Sequence, residues 1–231
     1  MVDFTYYGHA CFLLDDGKYK LLFDPFLTGN PLATIKAADV KCDYILITHA
    51  HGDHIGDAPF IAQQNNAEVI STPEVLELVK AGAGNATVHG MNLGGSLKLP
   101  FGSVKMVTAH HSAGATGGIP CGFVVHFGGE VIYFAGDTSV FGDMRLIGEL
   151  EKPQWAILPI GDNYTMGPKE ATKAIELLDV RHVIPVHYNT WPIIEQDAKA
   201  FKRMAEAGTR AKIHVVNPGA TLELSVVENS V

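Results

Sequence analysis

The chain has 231 residues, of which 47% are hydrophobic and 18% are charged, and its formal net charge at pH 7 is -8. This length and composition predict one globular domain over residues 1–231 and exclude disordered and fibrous proteins. Because the net charge is acidic and Lys and Arg form no run, neither a nucleic acid nor an anionic membrane is expected as a partner.

The chain is predicted to begin as a β-meander. Short β-rich runs lie at residues 4–7, 10–14, 19–23 and 44–48. The segment Asp15-Asp16-Gly17 has the composition of a tight turn between the second run and the third. Alternating helical and strand-like stretches follow, including a helix over residues 73–81 that begins at Pro73.

The rest of the chain is predicted to place strands centrally and helices late. The predicted strands lie at residues 96–99, 104–109, 121–127, 131–135 and 155–159. A hairpin is expected at Gly128-Gly129. Helices over residues 168–178 and 195–207 flank a strand at 182–186, and two short strands end the chain. The pattern is that of a mixed α/β protein.

One motif, His49-Ala50-His51-Gly52-Asp53-His54, packs three imidazoles and a carboxylate into six positions after an apolar strand. Residues two apart at a strand end point the same way, and a tight turn at Gly52 can direct the next pair elsewhere. The motif can therefore serve two metal ions. Imidazole and carboxylate ligands without a thiolate suit Zn, Mn, Fe or Ni at a catalytic rather than a structural site.

Residues with metal-binding side chains also follow four other apolar runs. They are Asp24, the pair His110-His111, Asp137 and His187. One His or Asp at a strand end is more often a cap or a surface group. In layered α/β folds, however, functional residues cluster at strand ends, so the recurrence at several strands indicates a shared site.

The cysteines and the start of the chain indicate where the protein acts. Cys11, Cys42 and Cys121 are too few and too widely spaced for a disulfide framework, and they are typical of buried thiols in a reducing compartment. The residues after Met1 resemble no signal peptide, and no uncharged apolar run reaches about 18 residues. A cytoplasmic protein without membrane insertion is expected.

Together these motifs resemble the metallo-β-lactamase superfamily, and more narrowly its UPF0173-type metal-dependent hydrolases, which are similar to UlaG-like lactonases. The resemblance covers nearly the whole chain. Besides the histidine motif it is carried by Gly8-His9-Ala10, Asp24-Pro25, His110-His111, Ala135-Gly136-Asp137-Thr138, residues 161–167 and Pro185-Val186-His187-Tyr188. It implies a four-layer αβ/βα sandwich and a metal-dependent hydrolase.

The resemblance also implies a ligand set for two divalent ions, with Zn²⁺ expected and Mn²⁺, Ni²⁺ and Fe²⁺ as alternatives. The implied ligands are His49, His51 and His111 for one ion, Asp53, His54 and His187 for the other, and Asp137 as a bridge. Asp24 is expected to orient a ligand by hydrogen bonding rather than to bind metal. Asp53 is the candidate catalytic residue, because it could also receive a proton.

Other residues are expected near the site. Adjacent strand residues face opposite ways, so only one of His110 and His111 should enter it. His111 is preferred, because in similar sequences the ligand precedes a small residue such as Ser112. His9 either lines the pocket or is a hydrogen-bonded core histidine. Predicted pocket walls are the loop at 114–118, the segments 162–167 and 188–191, and within them Asp162, Asn163, Thr165 and Trp191.

The expected reaction is hydrolysis of a small ester, lactone or phosphodiester by a dinuclear centre with a bridging hydroxide. The expected partner is a small-molecule substrate. The sequence leaves open whether the chain forms a homo-oligomer. Two alternatives share the fold, a di-iron redox enzyme and a non-catalytic binding protein. The resemblance disfavours the first because His51 is present where the oxygen-reducing branch has Glu, and the second because all seven implied ligands are retained.

Overall fold

Two sheets of seven strands each lie at the centre of the structure, a computed structural model that describes residues 1–114 and 117–225. In chain order the strands are β1 (Val2–Gly8), β2 (Cys11–Asp15), β3 (Lys20–Phe23), β4 (Tyr44–Leu46), β5 (Glu68–Ser71), β6 (Val88–Gly90), β7 (Ser96–Leu99), β8 (Gly102–Thr108), β9 (Cys121–Phe127), β10 (Glu130–Phe134), β11 (Trp155–Pro159), β12 (His182–Val186), β13 (Lys212–Ile213) and β14 (Thr221–Leu224). The α-helices are α1 (Gly52–Ile55), α2 (Ala58–Asn65), α3 (Pro73–Lys80), α4 (Met144–Glu151), α5 (Pro168–Leu178) and α6 (Ala198–Gly208).

The strand directions bring the predicted ligand positions to the same edge within each sheet. The first sheet has the order β14-β1-β2-β3-β4-β5-β6, and β3 to β6 run parallel. The second has the order β13-β12-β11-β10-β9-β8-β7, and β10 to β13 run parallel. Strand β8 has the same direction as β10, because both are antiparallel to β9. The carboxyl ends of β8, β10 and β12 therefore lie on one side of their sheet.

The two sheets pack face to face, and helices cover their outer faces. Aromatic rings from both sheets meet between them: the Phe134 ring of the second sheet lies with its centroid 5.0 Å from that of Phe12 and 5.7 Å from that of Phe23, both of the first sheet. A second core lies under α4, α5 and α6, and a third lies under α2 and α3. This is the predicted αβ/βα sandwich. Within the described ranges, no helix has the length and apolarity that crossing a bilayer would require.

Two turns form as the sequence predicts. The backbone N–H of Gly17 donates to Asp15 Oδ1 at 2.8 Å, and Gly17 has a φ of 84°. Gly128 and Gly129 have φ values of 57° and 91° and join the antiparallel strands β9 and β10. Two successive residues with positive φ match the strand twist of a tight hairpin, which is why glycine occupies both positions.

Two helices differ from the prediction. Helix α6 begins at Ala198 rather than at residue 195, because the Asp197 side chain caps it by accepting from two backbone N–H groups at 2.8 and 3.0 Å. Helix α4 was not predicted, since Gly148 in its middle weakens the helical pattern. The close packing of α4 on α5 requires this glycine: a Cβ at residue 148 would lie 2.4 Å from the Leu178 carbonyl oxygen.

Candidate metal centre

Side chains with metal-binding groups from several strand ends meet at one cavity of about 710 Å³, which is lined by His51, Asp53, His111, Asp137 and His187. Asp137, which follows β10, lies at their centre. Its Oδ2 atom is 3.3 Å from His54 Nε2, 3.6 Å from His111 Nε2 and 3.1 Å from His187 Nε2. Three separate parts of the chain thus direct imidazole nitrogens at one carboxylate oxygen.

A single helical turn arranges the histidine motif. His51 is the N-cap of α1, and its carbonyl accepts from the backbone N–H of His54 at 3.0 Å. Asp53 and His54 are presented from this turn. The predicted glycine-dependent turn at Gly52 is therefore wrong: Gly52 is the first residue of the helix, and a Cβ there would meet nothing within 4 Å. The absence of a side chain instead leaves the cavity wall open at this position.

Three groups of residues are arranged so that each could hold a metal ion. Within each group, the potential ligand atoms all lie within 4.8 Å of one another. The groups are His49, His51 and His111; His9, Asp53, His54 and His187; and His49, His54 and Asp137. The first group has the membership implied for one ion. The second contains the residues implied for the other ion together with His9. The third shares His49 with the first group and His54 with the second, so the two groups adjoin.

Unpartnered buried nitrogens test whether these residues suit a metal ion. Among the described residues, His54 Nε2 and both ring nitrogens of His187 are buried without a hydrogen-bond partner. Their Nε2 atoms lie near Asp137 Oδ2, but the angles do not make hydrogen bonds. Buried polar atoms usually have partners, and imidazole nitrogens that converge with carboxylates are suitable ligands for a divalent transition metal. The residues fit a metal ion.

Asp24 and Thr48 determine which nitrogens face the cavity. Asp24 Oδ2 accepts from His54 Nδ1 and from Thr48 Oγ1, both at 2.7 Å. Since the Thr48 hydroxyl donates to Asp24, it accepts from His49 Nδ1 at 2.9 Å. Both histidines therefore carry hydrogen on Nδ1, and Nε2 remains available to a metal ion. Asp24 is fully buried and orients the His54 ring through its Nδ1 atom, on the side of the ring opposite the cluster.

The backbone is strained around the same site. His9, Asp24 and His187 have φ values of 58°, 38° and 54°, in a region that side-chain-bearing residues seldom adopt. The His187 backbone N–H donates to the His9 carbonyl at 2.7 Å, which couples two of these residues. Such conformations cost on the order of 1–3 kcal/mol each and concentrate at functional sites.

His9 is both buried and part of the site. Its Nε2 lies 3.0 Å from Asp53 Oδ2, and its Nδ1 lies 2.7 Å from Thr190 Oγ1. Burial and the nearby imidazole of His187 lower the pKa of His9 to about 4, so the ring is neutral at pH 7. A neutral ring donates from Nε2 to the Asp53 carboxylate and accepts the Thr190 hydroxyl at Nδ1. His9 therefore holds Asp53 in a fixed orientation.

His110 and His111 face different ways. The His111 ring points at Asp137 and lines the cavity. The His110 ring stacks on Phe141, with centroids 4.5 Å apart and an interplanar angle of 12°, and it is not among the lining residues. Its backbone N–H donates to Thr138 Oγ1 at 3.0 Å. The structure thus brings His111, and not the His110 side chain, to the cluster.

Only some of the residues predicted to form the pocket walls line the cavity. Trp191 lines the cavity, whereas Asp162, Asn163 and Thr165 do not. Asp162 and Thr165 instead hydrogen-bond within their own loop: Asp162 Oδ1 accepts from the Asn163 N–H at 2.8 Å, and Thr165 Oγ1 donates to the Met166 carbonyl at 3.2 Å. The lining residue of this loop is Tyr164. Of the glycine-rich loop, residues 115–116 lie outside the described residues.

Sequence reasoning missed Thr48, Phe26 and Ile193. Thr48 had one usable signal, since it lies between an apolar strand and His49. Phe26 and Ile193 are common residues outside the regular strands and α-helices, and nothing in their local sequence connects them with a metal site. Tyr164 and Thr190 lie within the predicted wall segments 162–167 and 188–191 but were not singled out there.

The charges of the cluster depend on its close packing. Burial lowers the pKa of His49 to about 2. Burial also opposes ionisation of Asp137, but the imidazoles of His187 and His54 hold the pKa of this carboxyl well below its usual range. For His54, the carboxylates of Asp137 and Asp24 outweigh burial and raise the pKa well above 6.5. Without metal, His54 is therefore protonated at pH 7.

Binding of Zn²⁺ to metal-free protein at pH 7 is expected to release at least one proton per chain, because metal ligation requires a neutral His54 and ionisation of an activated water would add to this count. The number of protons that His54 contributes should fall as the pH rises through the raised pKa of this residue, since its ring is then already neutral before metal binds. Calorimetric titrations in buffers with different ionisation enthalpies measure this proton count. A binding heat that is independent of the buffer would contradict a protonated His54.

Comparison with known proteins agrees with the geometry. The Beta-lactamase superfamily domain matches residues 19–188. A UPF0173 metal-dependent hydrolase of Pelotomaculum thermopropionicum is 48% identical over 228 residues, covering 95% of this chain and 99% of that protein. Its counterpart in Thermus thermophilus is 47% identical over 234 residues, covering 97% and 100%.

A solved structure is similar over nearly the full length. Igni18, described as a novel metallo hydrolase from the hyperthermophilic archaeon Ignicoccus hospitalis, has a TM-score of 0.88 and 37% sequence identity. The match covers 97% of this chain and 99% of that one. With two sheets, outer helices and a His/Asp cluster at the strand ends, the chain belongs to the β-lactamase superfamily and, within it, to the UPF0173 metal-dependent hydrolases.

Proposed function

We propose that the protein uses two divalent metal ions to hydrolyse a small ester, lactone or phosphodiester. One observation carries this proposal: Asp137 Oδ2 lies within 3.6 Å of the Nε2 atoms of His54, His111 and His187. A carboxylate in this central position is suited to bridging two ions. The relatives named metal-dependent hydrolases support the reaction class.

The two ligand groups would hold one ion each. His49, His51 and His111 would bind one, and Asp53, His54 and His187 the other, with Asp137 shared. Zn²⁺ suits these nitrogen and oxygen donors, and Mn²⁺, Ni²⁺ or Fe²⁺ would also be accepted. When bound, two such ions would lower the pKa of a water molecule and polarise the oxygen of an ester or phosphoryl group.

The protein's own residues would bind the substrate and transfer a proton. Although burial opposes ionisation of Asp53, the hydrogen bond from His9 and the nearby His54 hold its pKa below the ordinary value. Asp53 is therefore ionised at pH 7, so its Oδ2 can receive a proton and pass it on to a leaving group. His9, itself fixed by Thr190, keeps that oxygen directed at the site.

The surroundings support a small substrate. A cavity of about 710 Å³ is the size of small-molecule sites. We propose that the chain acts as one domain over residues 1–231, alone or as a homo-oligomer, without binding nucleic acid. A cytoplasmic location is supported by the three cysteines, which are buried free thiols.

Metal content combined with a matched pair of variants tests the proposal. Protein purified without chelator is expected to contain close to two ions per chain. His111→Ala should lose metal and at least about 100-fold in hydrolytic rate, whereas His110→Ala, next to it in sequence, should retain both. Absence of metal after reconstitution with Zn²⁺ or Mn²⁺ would overturn the proposal in favour of a binding protein. Equal losses in both variants would refute the ligand assignment.

A further inference from the structure

The cavity has a polar side and an apolar side. The polar side carries the imidazoles and carboxylates of His51, Asp53, His111, Asp137 and His187. The apolar side consists of Phe26, Trp191, Ile193 and Tyr164. Ile193 is 57% exposed and Tyr164 is 52% exposed, so large apolar surface faces solvent directly beside the polar groups. Exposed apolar surface at a binding cleft is typical of a surface that a ligand covers.

The apolar side is held in place by its own contacts. Ile193 belongs to a short 3-10 turn, Pro192–Ile194, whose last residue is fully buried. The Ile194 N–H donates to the Trp191 carbonyl at 3.0 Å, and the Ile194 carbonyl accepts from the Asn189 N–H at 2.9 Å. The Trp191 ring also meets the buried His9 ring edge-on, with centroids 4.9 Å apart. The surface therefore exists before a ligand binds, and a ligand need not order it.

The same cavity has no cationic side chain. No Lys or Arg is among its lining residues in the described part of the chain, while Asp53 and Asp137 both contribute carboxylates. Sites for phosphate groups usually supply Arg or Lys, because the anion must be compensated. Here bound metal ions would be the only compensation. An uncharged substrate loses less hydration on entering such a cavity than an anionic one.

We propose that the substrate is an uncharged ester or lactone whose alkyl or aryl group lies against Trp191, Phe26 and Ile193. This inference rests on the proposed hydrolase function and narrows its substrate class. Water would add its oxygen to the acyl carbon, and the acyl C–O bond would break with its electron pair leaving on the alcohol oxygen. Asp53 would take one proton from the attacking water and pass it to that alcohol oxygen, and the second proton of the water would dissociate to solvent when the acid product ionises to its carboxylate.

A chain-length series measures the apolar contribution. With metal-loaded protein, kcat/KM should rise by up to about fourfold per methylene from p-nitrophenyl acetate to butyrate and hexanoate. It should be higher for the esters than for bis-p-nitrophenyl phosphate. Ile193→Ser should flatten the series. Leu150→Ser, which removes a leucine that is 72% exposed outside this cavity, should not change it. A flat wild-type series, or a preference for the phosphodiester, would overturn the inference and leave the hydrolase proposal intact.

Binding without turnover gives a second measurement. Trp191 and the buried Trp155 are the two tryptophans, so ligands at the cavity should change the emission of Trp191. Methyl pentyl ketone and methyl heptyl ketone should bind with affinity that rises with chain length, in metal-free protein also, whereas diethyl phosphate should not bind there. Trp191→Phe should abolish the signal. A ketone affinity that is independent of chain length would contradict binding of alkyl groups at the apolar surface. If the ketones bind as expected but the metal-loaded protein hydrolyses none of the esters, the proposed hydrolase function is contradicted instead.

Discussion

Asp53→Asn is expected to lower kcat/KM for p-nitrophenyl butyrate by about 1,000-fold, because the amide cannot accept a proton. The Asp53 side chain is 26% exposed and borders the cavity, and its Oδ2 lies 3.0 Å from His9 Nε2 and 3.8 Å from His54 Nε2. No other carboxylate in the described part of the cavity wall is accessible in this way, since Asp137 is buried among imidazoles. The loss should therefore not be compensated by a neighbour.

His9→Asn is the matched control for the orientation of Asp53. Asparagine tolerates the positive φ at this position better than most residues, but it is too short to replace the Nε2 donor. The Asp53 carboxylate remains, so a loss of about 10-fold is expected, which is typical for partners that orient a ligand. Both variants are assayed at equal metal content. An Asp53→Asn rate within tenfold of the unaltered protein would refute the proton-transfer role.

The clustering of the ligand-type residues was predictable in part from local sequence, whereas the division of the ligands between two ions was implied by the family resemblance. In His49, His51, Asp53 and His54 the chemistry lies within six residues, and a strand followed by one helical turn suffices to present it. Asp137 and His187 each follow a short apolar run that favours a buried strand, and the structure has strands β10 and β12 there. Parallel strands then place such ends at one edge of a sheet without further information.

The apolar wall and the supporting hydrogen bonds were not predictable in this way. The pair Thr190 and His9 is separated by 181 positions, and the contact depends on how the two sheets are placed relative to each other. Phe26 and Ile193 lie in loops whose apolar side chains would ordinarily indicate core packing. Their exposure at the cavity follows from loop geometry, which strand and helix periodicity does not encode.

Asp24→Ala is expected to destabilise the metal-free protein by about 3–5 kcal/mol, the range for breaking a buried ion pair or hydrogen-bond network. The carboxylate is fully buried and accepts from the Thr48 N–H at 2.8 Å, the Thr48 hydroxyl and His54 Nδ1. Removing it leaves the Thr48 N–H and hydroxyl without their acceptor and leaves His54 Nδ1 with only its 3.5 Å contact to Thr48 Oγ1. In thermal unfolding this corresponds to a fall in Tm of roughly 6–20 °C for a chain of this size.

The surface pair of Glu176 with Lys173 provides the control for stability. Its side chains are 43% and 60% exposed, so Glu176→Ala should cost no more than about 1 kcal/mol despite the 2.6 Å contact. A second variant, Asp24→Asn, separates folding from metal binding. The amide can still accept from the Thr48 N–H, so less stability is lost, but its NH₂ group would face His54 Nδ1.

In Asp24→Asn, His54 would satisfy that contact by accepting at Nδ1 and carrying its hydrogen on Nε2, the nitrogen that faces Asp137. The tautomer suited to ligation is then disfavoured, and Zn²⁺ affinity should fall by about 10- to 100-fold. Competition with a chromogenic chelator measures this affinity at a temperature where both proteins are folded. Unchanged affinity in Asp24→Asn, together with a melting temperature close to that of the unaltered protein, would show that Asp24 neither orients His54 nor stabilises the strand end.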